Sequence, residues 1–267
     1  MAHLAVVGLG PVGLATSIAF AKEGHEVAGV DVNEDRLASI ARGEPPYFET
    51  GMAEALEQVL EVDRFSVSPD TGKAVRQADT VVLCVGTPSR PDGSMDDRLL
   101  KKATENVALG LRPDKRTTAV IKSTVIPGTT ENVVRPILEA SGMPFGLAVN
   151  PEFLREGHAM EDALQPDRLI LGSDGPETAK RLRELYENAT CPVVETDLRT
   201  AEAIKYATNA FLATKVAFAD ELANISSALD VDFEEVIAAV TLDPRINPRF
   251  LVPGVGFGGS CFLKDVR

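Results

Sequence analysis

Three short stretches of the 267-residue chain hold residue types that do chemistry, and the most reactive type is a cysteine. Cys261 stands in G-V-G-F-G-G-S-C-F-L-K-D. The glycines let backbone approach a bulky ligand, Ser260 can cap a helix beginning at the cysteine, and Lys264 adds positive potential. The last two features favour a thiolate nucleophile. Cys84 lies inside an apolar strand and Cys191 precedes a proline, so neither is read as reactive. Lys205 and Asn209 are four residues apart in an Ala-rich stretch and project from one helical face. Their neighbours Ala201, Ile204, Ala207, Ala210 and Phe211 are small or apolar. A lysine so held from water is a candidate acid, base or oxyanion donor, the alternative being one whose stem carries the charge to solvent. Glu152 and Glu156 occur in N-P-E-F-L-R-E-G, where a spacing of four places both on one helical face. Arg155 can pair with one of them, and an exposed acidic turn is the plainer alternative.

A second cluster has binding chemistry. Gly8, Gly10 and Gly13 form G-L-G-P-V-G, with Pro11 and Val12 between the last two glycines. The first glycine permits a tight turn, the second lets backbone approach a pyrophosphate, and the third allows close helix–strand packing. Asp31 follows at the end of the next strand, where a carboxylate accepts hydrogen bonds from an adenosine ribose and repels a 2′-phosphate, so NAD is preferred over NADP. Arg36 leaves a 2′-phosphate open as an alternative. Gly86-Thr87-Pro88 and Ser123-Thr124 fall at the ends of later strands, where such sheets bind ligands, though plain turn chemistry also explains them.

The elements that must position these residues alternate from the start. HLAVVGL reads as a buried strand, 12–23 as a helix, HEVAGVD as a strand, and Asn33 as the cap of a helix ending near Gly43. A helix at 51–61, strands at Phe65–Ser68 and 80–86, a helix at 97–111 and a strand at 117–123 continue the pattern. A helix after Pro127, strands at 145–149 and 168–172, a helix at 176–189 and a short strand PVVE complete it. Alternation of this kind implies an α/β fold, a Rossmann-like doubly wound parallel sheet with helices on both faces. One long helix then runs from Asp197 to about Asp230, followed by a helix near 232–241 and loop chemistry over 243–261. Domains of 1–197 and 198–267 are expected, the second carrying Cys261.

Composition narrows the function class. Charged residues make up 25% and hydrophobic residues 44%, ordinary for a globular protein. A net charge of −13 disfavours nucleic-acid binding. No basic n-region and no apolar run of about 20 residues points to a signal peptide or membrane span. Three scattered cysteines suggest neither a disulfide framework nor a metal site, so a soluble protein of the reducing cytoplasm is expected.

Together GLGPVG, Asp31, CVGTP, KSTVIPGTT, NPEFLREG, the Lys205/Asn209 helix and GFGGSCFLKD resemble the UDP-glucose/GDP-mannose 6-dehydrogenases, most closely the UDP-glucose branch. The match runs through the whole chain in the family's order. The resemblance implies that Cys261 is the nucleophile, that Lys205 and Asn209 stabilise oxyanions, and that Asp265 orients water or maintains the lysine network. It further implies that Glu152 and Glu156 serve the water and substrate side and that Thr124 holds a water. Gly8, Gly10, Pro11, Val12, Gly13, Asp31, Arg36, Thr87, Thr124 and Lys264 would line NAD. The implied reaction is a four-electron oxidation of a sugar C6 alcohol through a thiohemiacetal and a thioester, in a homodimer built on the long helix.

Two departures qualify the resemblance. Leu263 replaces a proline usual in the family, and the family's second nucleotide-binding-like domain does not follow. The expectation is an N-terminal fragment that binds NAD yet turns over little nucleotide sugar by itself. GDP-mannose or a UDP-N-acetylhexosamine are alternative substrates. A two-electron β-hydroxyacid dehydrogenase and a non-catalytic NAD-binding or dimerisation module are alternative functions.

Overall fold

The computed structural model describes residues 1–256, 258 and 260–266, with Ser260, Cys261 and Leu263 described by their backbone alone. They divide into two compact units, Met1–Pro88 with Met95–Lys205, and Ser89–Ser94 with Tyr206–Arg267.

The first unit opens with β1 (His3–Val7), α1 (Pro11–Lys22), β2 (Glu26–Val30), α2 (Glu34–Ala41), α3 (Met52–Glu61) and β3 (Phe65–Ser68). It continues through α4 (Thr71–Gln77), β4 (Thr80–Leu83), α5 (Arg98–Gly110) and β5 (Thr117–Ile121). A π-helical turn, Thr130–Val134, then leads into α6 (Arg135–Glu139) and β6 (Phe145–Val149). The last elements are α7 (Ala159–Leu164), β7 (Leu169–Ser173), α8 (Pro176–Glu184) and β8 (Val193–Asp197). The strands form one sheet in the order β3-β2-β1-β4-β5-β6-β7-β8.

Side chains alternate across the pleat, so successive strand residues feed two different cores. Leu4, Val6, Val82, Val120 and Ala148 pack with α1 and α3 on one face. Ala5, Val7, Val81, Leu83, Ala119 and Ile121 pack with α4, α5 and α6 on the other. This is the doubly wound architecture the alternation implies. The cap expected at Asn33 is present, its Oδ1 accepting from Arg36 N at 2.9 Å; Asp70 Oδ1 caps α4 in the same way, accepting from Lys73 N at 2.9 Å.

One feature differs from a wholly parallel sheet. β6 meets β7 antiparallel, with Ala148 opposite Ser173, and β8 then runs parallel to β7. A parallel return requires a crossover that carries the chain back along the sheet. The six-residue α7 instead packs on α1, so β7 starts from the same edge at which β6 ends. The short helices α4 and α7 carry too few turns to show a period, and the sequence reading passed over both.

The strand order reverses between β1 and β4, which places the crevice for a ligand at their carboxyl ends. Gly8 has φ +95°, and a Cβ there would lie 2.9 Å from the carbonyl oxygen of Cys84. A Cβ on Gly13 would lie 1.8 Å from Gly8 O, whereas one on Gly10 meets nothing within 4 Å. Gly13→Ala is therefore expected to lower the urea midpoint by the equivalent of about 1–3 kcal/mol, and Gly10→Ala to leave the midpoint nearly unchanged. Equal midpoints for both would show that α1 does not depend on the close approach.

The helix α9 (Leu198–Ala228) starts in the first unit and continues in the second. The second unit also holds α10 (Phe233–Val240), capped by Asp232, and α11 (Ser260–Asp265). α11 falls at the end of the stretch read as loop. The 247–254 segment is tied to α9 by Lys215 Nζ donating to Asn247 O at 2.7 Å and Gly254 N donating to Asp220 Oδ1 at 2.7 Å.

Candidate active site

The glycine turn leads straight into α1, whose first turn has Pro11 near its start, no acidic residue and no side-chain cap. Its amide donors and dipole thus face the open space beside Gly10, a fit for a pyrophosphate. Asp31, buried at the end of β2, ties this turn together. Its Oδ2 accepts from Leu9 N at 2.7 Å and Arg36 Nη1 at 2.8 Å, and its Oδ1 from Asn33 N at 2.9 Å. Burial raises the Asp31 carboxyl, but the Asn33 and Leu9 amides and the Arg36 guanidinium outweigh it and hold the group below the usual carboxylate range. Arg36 is thus paired rather than free, and its guanidinium lies 5.7 Å from the Tyr47 ring centroid. Residues Gly8 to Gly13 with Asp31 fit a dinucleotide.

Because the folded carboxyl is depressed, its stabilising contribution is complete above the ordinary value of about 3.9 and is lost as pH falls below it. Asp31→Asn offers one acceptor oxygen to three donors and is expected to cost about 1–3 kcal/mol at neutral pH. Urea midpoints should converge between wild type and variant on acidification. A gap that stays constant with pH would show that the charge is not what stabilises the turn.

Further along the same edge, Thr87 Oγ1 donates to Thr124 O at 2.6 Å and Ser123 Oγ to Val85 O at 2.6 Å. These bonds bind the loops after β4 and β5 to each other. Cys84, at the end of β4, is an unreactive thiol, since burial pushes it up to about 12.

The acidic segment after β6 departs from its sequence reading. Residues 151–157 are not helical, so Glu152 and Glu156 do not share a helical face. Pro151 and the Gly157 position at φ +83° keep the chain irregular here. Glu152 turns inward, 9% exposed, whereas Glu156 is exposed. Arg155 forms ion pairs with Asp162 and Glu161.

Glu152 Oε1 lies 3.1 Å from Lys205 Nζ, and Glu152 Oε2 accepts from Leu154 N at 2.6 Å. Lys205 is 4% exposed, so its stem does not carry the charge to solvent. Phe153 packs beside this pair, its ring centroid 5.1 Å from Lys205 Nζ and 4.1 Å from the Arg168 guanidinium carbon. A buried ammonium held on a carboxylate at the sheet edge can donate to a developing oxyanion or exchange a proton.

Within the second unit, Asn209 Nδ2 donates to Asp265 Oδ2 at 2.7 Å, and Lys264 forms an ion pair with Asp265. Asn209 and Asp265 are both buried. The side chain of Cys261 lies outside the described residues, while the helix that carries it, α11, is tied to α9 through Asp265.

Two buried residues, Lys122 and Glu202, escaped the sequence reading. Lys122 follows β5 and its Nζ donates to Asn150 Oδ1 at 2.9 Å, and burial holds its ammonium below the usual lysine range. Glu202 of α9 accepts from the amides of Gly128 and Thr130. The available signals were a lysine closing the apolar run TTAVI and an acid set between alanines of the long helix.

Residues 2–190 match the NAD binding domain of the UDP-glucose/GDP-mannose dehydrogenase family, and residues 199–267 match that family's central domain. The chain belongs to this family. A GDP-mannose 6-dehydrogenase of Pseudomonas syringae pv. syringae is 39% identical over 99% of this chain and 62% of its own length. A UDP-glucose 6-dehydrogenase of Haloferax volcanii is 42% identical over 98% of this chain and 63% of its own. The solved structure of a UDP-glucose dehydrogenase from Pyrobaculum islandicum superposes with a TM-score of 0.97 at 43% identity, covering 100% of this chain and 62% of that one. The family chain described here thus spans less than two thirds of the relatives it matches. Among its described residues, no helix is long and apolar enough to cross a membrane, and no His, Cys, Asp and Glu group is placed to hold a metal ion.

Proposed function

We propose that this chain carries the cofactor and reacting-site residues of an NAD-dependent nucleotide-sugar 6-dehydrogenase, with UDP-glucose as substrate and UDP-glucuronate as product. The observation that carries the reading is the buried Lys205–Glu152 pair at the same sheet edge as the glycine turn and Asp31. Residues 1–197 form the NAD-binding domain in this reading, and 198–267 bring the nucleophile. Gly8, Gly10, Pro11, Val12, Gly13, Asp31, Arg36, Thr87, Thr124 and Lys264 hold NAD, which when bound supplies the acceptor for each hydride.

The sugar C6 alcohol loses a proton and a hydride and becomes an aldehyde. The Cys261 thiolate adds to the carbonyl carbon, forming a C–S bond while the oxygen takes up a proton. The tetrahedral carbon then gives up a second hydride, and the hydroxyl loses its proton, leaving a thioester. Water attacks, the C–S bond breaks, and thiolate and uronate separate. Lys205 and Asn209 stabilise the oxyanions. Glu152 and Glu156 serve water and substrate, Thr124 holds a water, and Asp265 orients it or maintains the lysine network. UDP-glucose is preferred on the likeness to the Haloferax and Pyrobaculum relatives, at 42% and 43% identity. A homodimer is part of the proposal: α9 leaves Phe211, Phe218 and Ile225 exposed at seven-residue intervals.

The test is NADH release by the full-length gene product with UDP-glucose, UDP-galactose, UDP-N-acetylmannosamine and GDP-mannose. Two NADH per UDP-glucose consumed is expected. Release of one NADH per sugar, or of none with any of the four, overturns the reading.

A further inference from the structure

Lys122 contributes to no step above, yet its place is unusual. It is 8% exposed at the carboxyl end of β5, and among the described residues no carboxylate lies within ion-pair distance of its Nζ. Its acceptor is Asn150 Oδ1, which also accepts from the Tyr186 hydroxyl at 2.5 Å. The Asn150 amide Nδ2 donates to Ile170 O at 3.0 Å, and Asn150 N donates to Ile121 O at 2.9 Å. Asn150 is thereby bonded through both backbone and side chain to β5, β7 and the end of α8. It is the first residue of the N-P-E turn, so its orientation decides where Glu152, two residues on, meets Lys205.

The groups that act electrostatically on the Lys122 ammonium are Cys84 after β4, Glu152 after β6 and Lys205 on α9. Burial keeps the Cys84 thiol protonated and raises the Tyr186 phenol as well, while Glu152 and Lys205 form an ion pair with each other. The buried Glu152 carboxylate is thus paired with Lys205 and also within electrostatic reach of the buried Lys122. A positive charge on Lys122 attracts the Glu152 side chain that Lys205 pairs with.

We propose that Lys122 is a positioning residue for the oxidation, acting through Asn150 and through space to hold Glu152 as the partner of Lys205. The turnover part of this rests on the function proposed above, whereas the coupling of Lys122 to Glu152 does not.

The experiment is a double-variant cycle with Lys122→Met, Glu152→Gln and the pair, read in two ways on the full-length gene product. In urea unfolding, the midpoint loss of the double variant is expected to be smaller than the sum of the single losses, because the two side chains act as a unit. In turnover, Lys122→Met is expected to lower kcat about tenfold with KM for the sugar and for NAD unchanged, a displaced group acting on the reaction rather than on binding. That loss should vanish in the Glu152→Gln background. Tyr186→Phe removes the other donor to Asn150 without touching a charge, and a smaller kcat loss is expected from it. Additive midpoint losses overturn the proposal even where two NADH are released per sugar. Coupled midpoints with no turnover by wild type support the Lys122–Glu152 link and overturn the function instead. If Lys122→Met does not fold, Lys122→Gln, which keeps a donor toward Asn150, takes its place in the same cycle.

Discussion

Lys205→Met is expected to produce the largest combined loss of stability and rate. Methionine matches the length of the lysine stem, so packing against Phe153 is kept and the charge alone is removed. Glu152 then remains in a site where it is 9% exposed, with the ammonium that stood 3.1 Å away gone. Breaking a buried pair from one side costs about 3–5 kcal/mol, because the remaining charge is uncompensated. Neutralising the survivor should return much of that loss, so Lys205→Met with Glu152→Gln is expected to be more stable than Lys205→Met alone. Rate follows a different logic. An oxyanion donor lost from a water-poor site costs about 10²–10³ in turnover, and no change at Glu152 restores it. Urea midpoints and NADH release on the single and double variants separate the two effects. Recovery of activity along with stability in the double variant would mean that the lysine serves only to neutralise the acid.

That pair also marks how far the amino-acid sequence could be read. A lysine one helical turn from Ala201 is legible as desolvated because the helical period sends Ala201 inward with it, whereas Ala207, two residues on, faces outward. The glycine turn and Asp31 are legible because strand, turn and helix follow within the span that the close approach at Gly13 demands. The partner of Lys205 was harder to place. Glu152 and Glu156 have the spacing of a helical pair, and only the fold reveals that the segment after Pro151 is irregular and sends the two side chains to opposite environments. Spacing describes a face only where a helix exists. Likewise the turn of β7 against β6 depends on α7 docking on α1, a tertiary contact with no local signature. Lys122 was missed for a related reason. A lysine at the end of an apolar strand looks like a strand leaving the core, whereas here Asn150, eased in by the next strand, supplies the acceptor that lets it stay buried.

Cys261→Ser distinguishes the four-electron reaction from its nearest rival, since both begin with the same hydride loss. An aldehyde is a poor hydride donor until a nucleophile makes its carbon tetrahedral, and a serine hydroxyl, far less acidic than a thiol, adds far more weakly than a thiolate. Release of two NADH per sugar is therefore expected to slow by at least about 10³-fold, in keeping with the removal of a covalent nucleophile. NADH should be limited to the first oxidation, with the aldehyde retained by the protein or appearing in solution. The substitution is nearly isosteric and leaves Asp265 on Asn209, the bond that ties α11 to α9, so the fold should be kept. A two-electron β-hydroxyacid dehydrogenase needs no thiol, and in that case Cys261→Ser would complete its single oxidation at an undiminished rate. A thiol-directed alkylating reagent gives an independent reading on the wild-type protein. Its reaction at Cys261 should be slowed by the nucleotide sugar if the sugar carbon comes within bonding reach of the sulfur, and alkylation indifferent to the sugar would remove the basis for covalent capture.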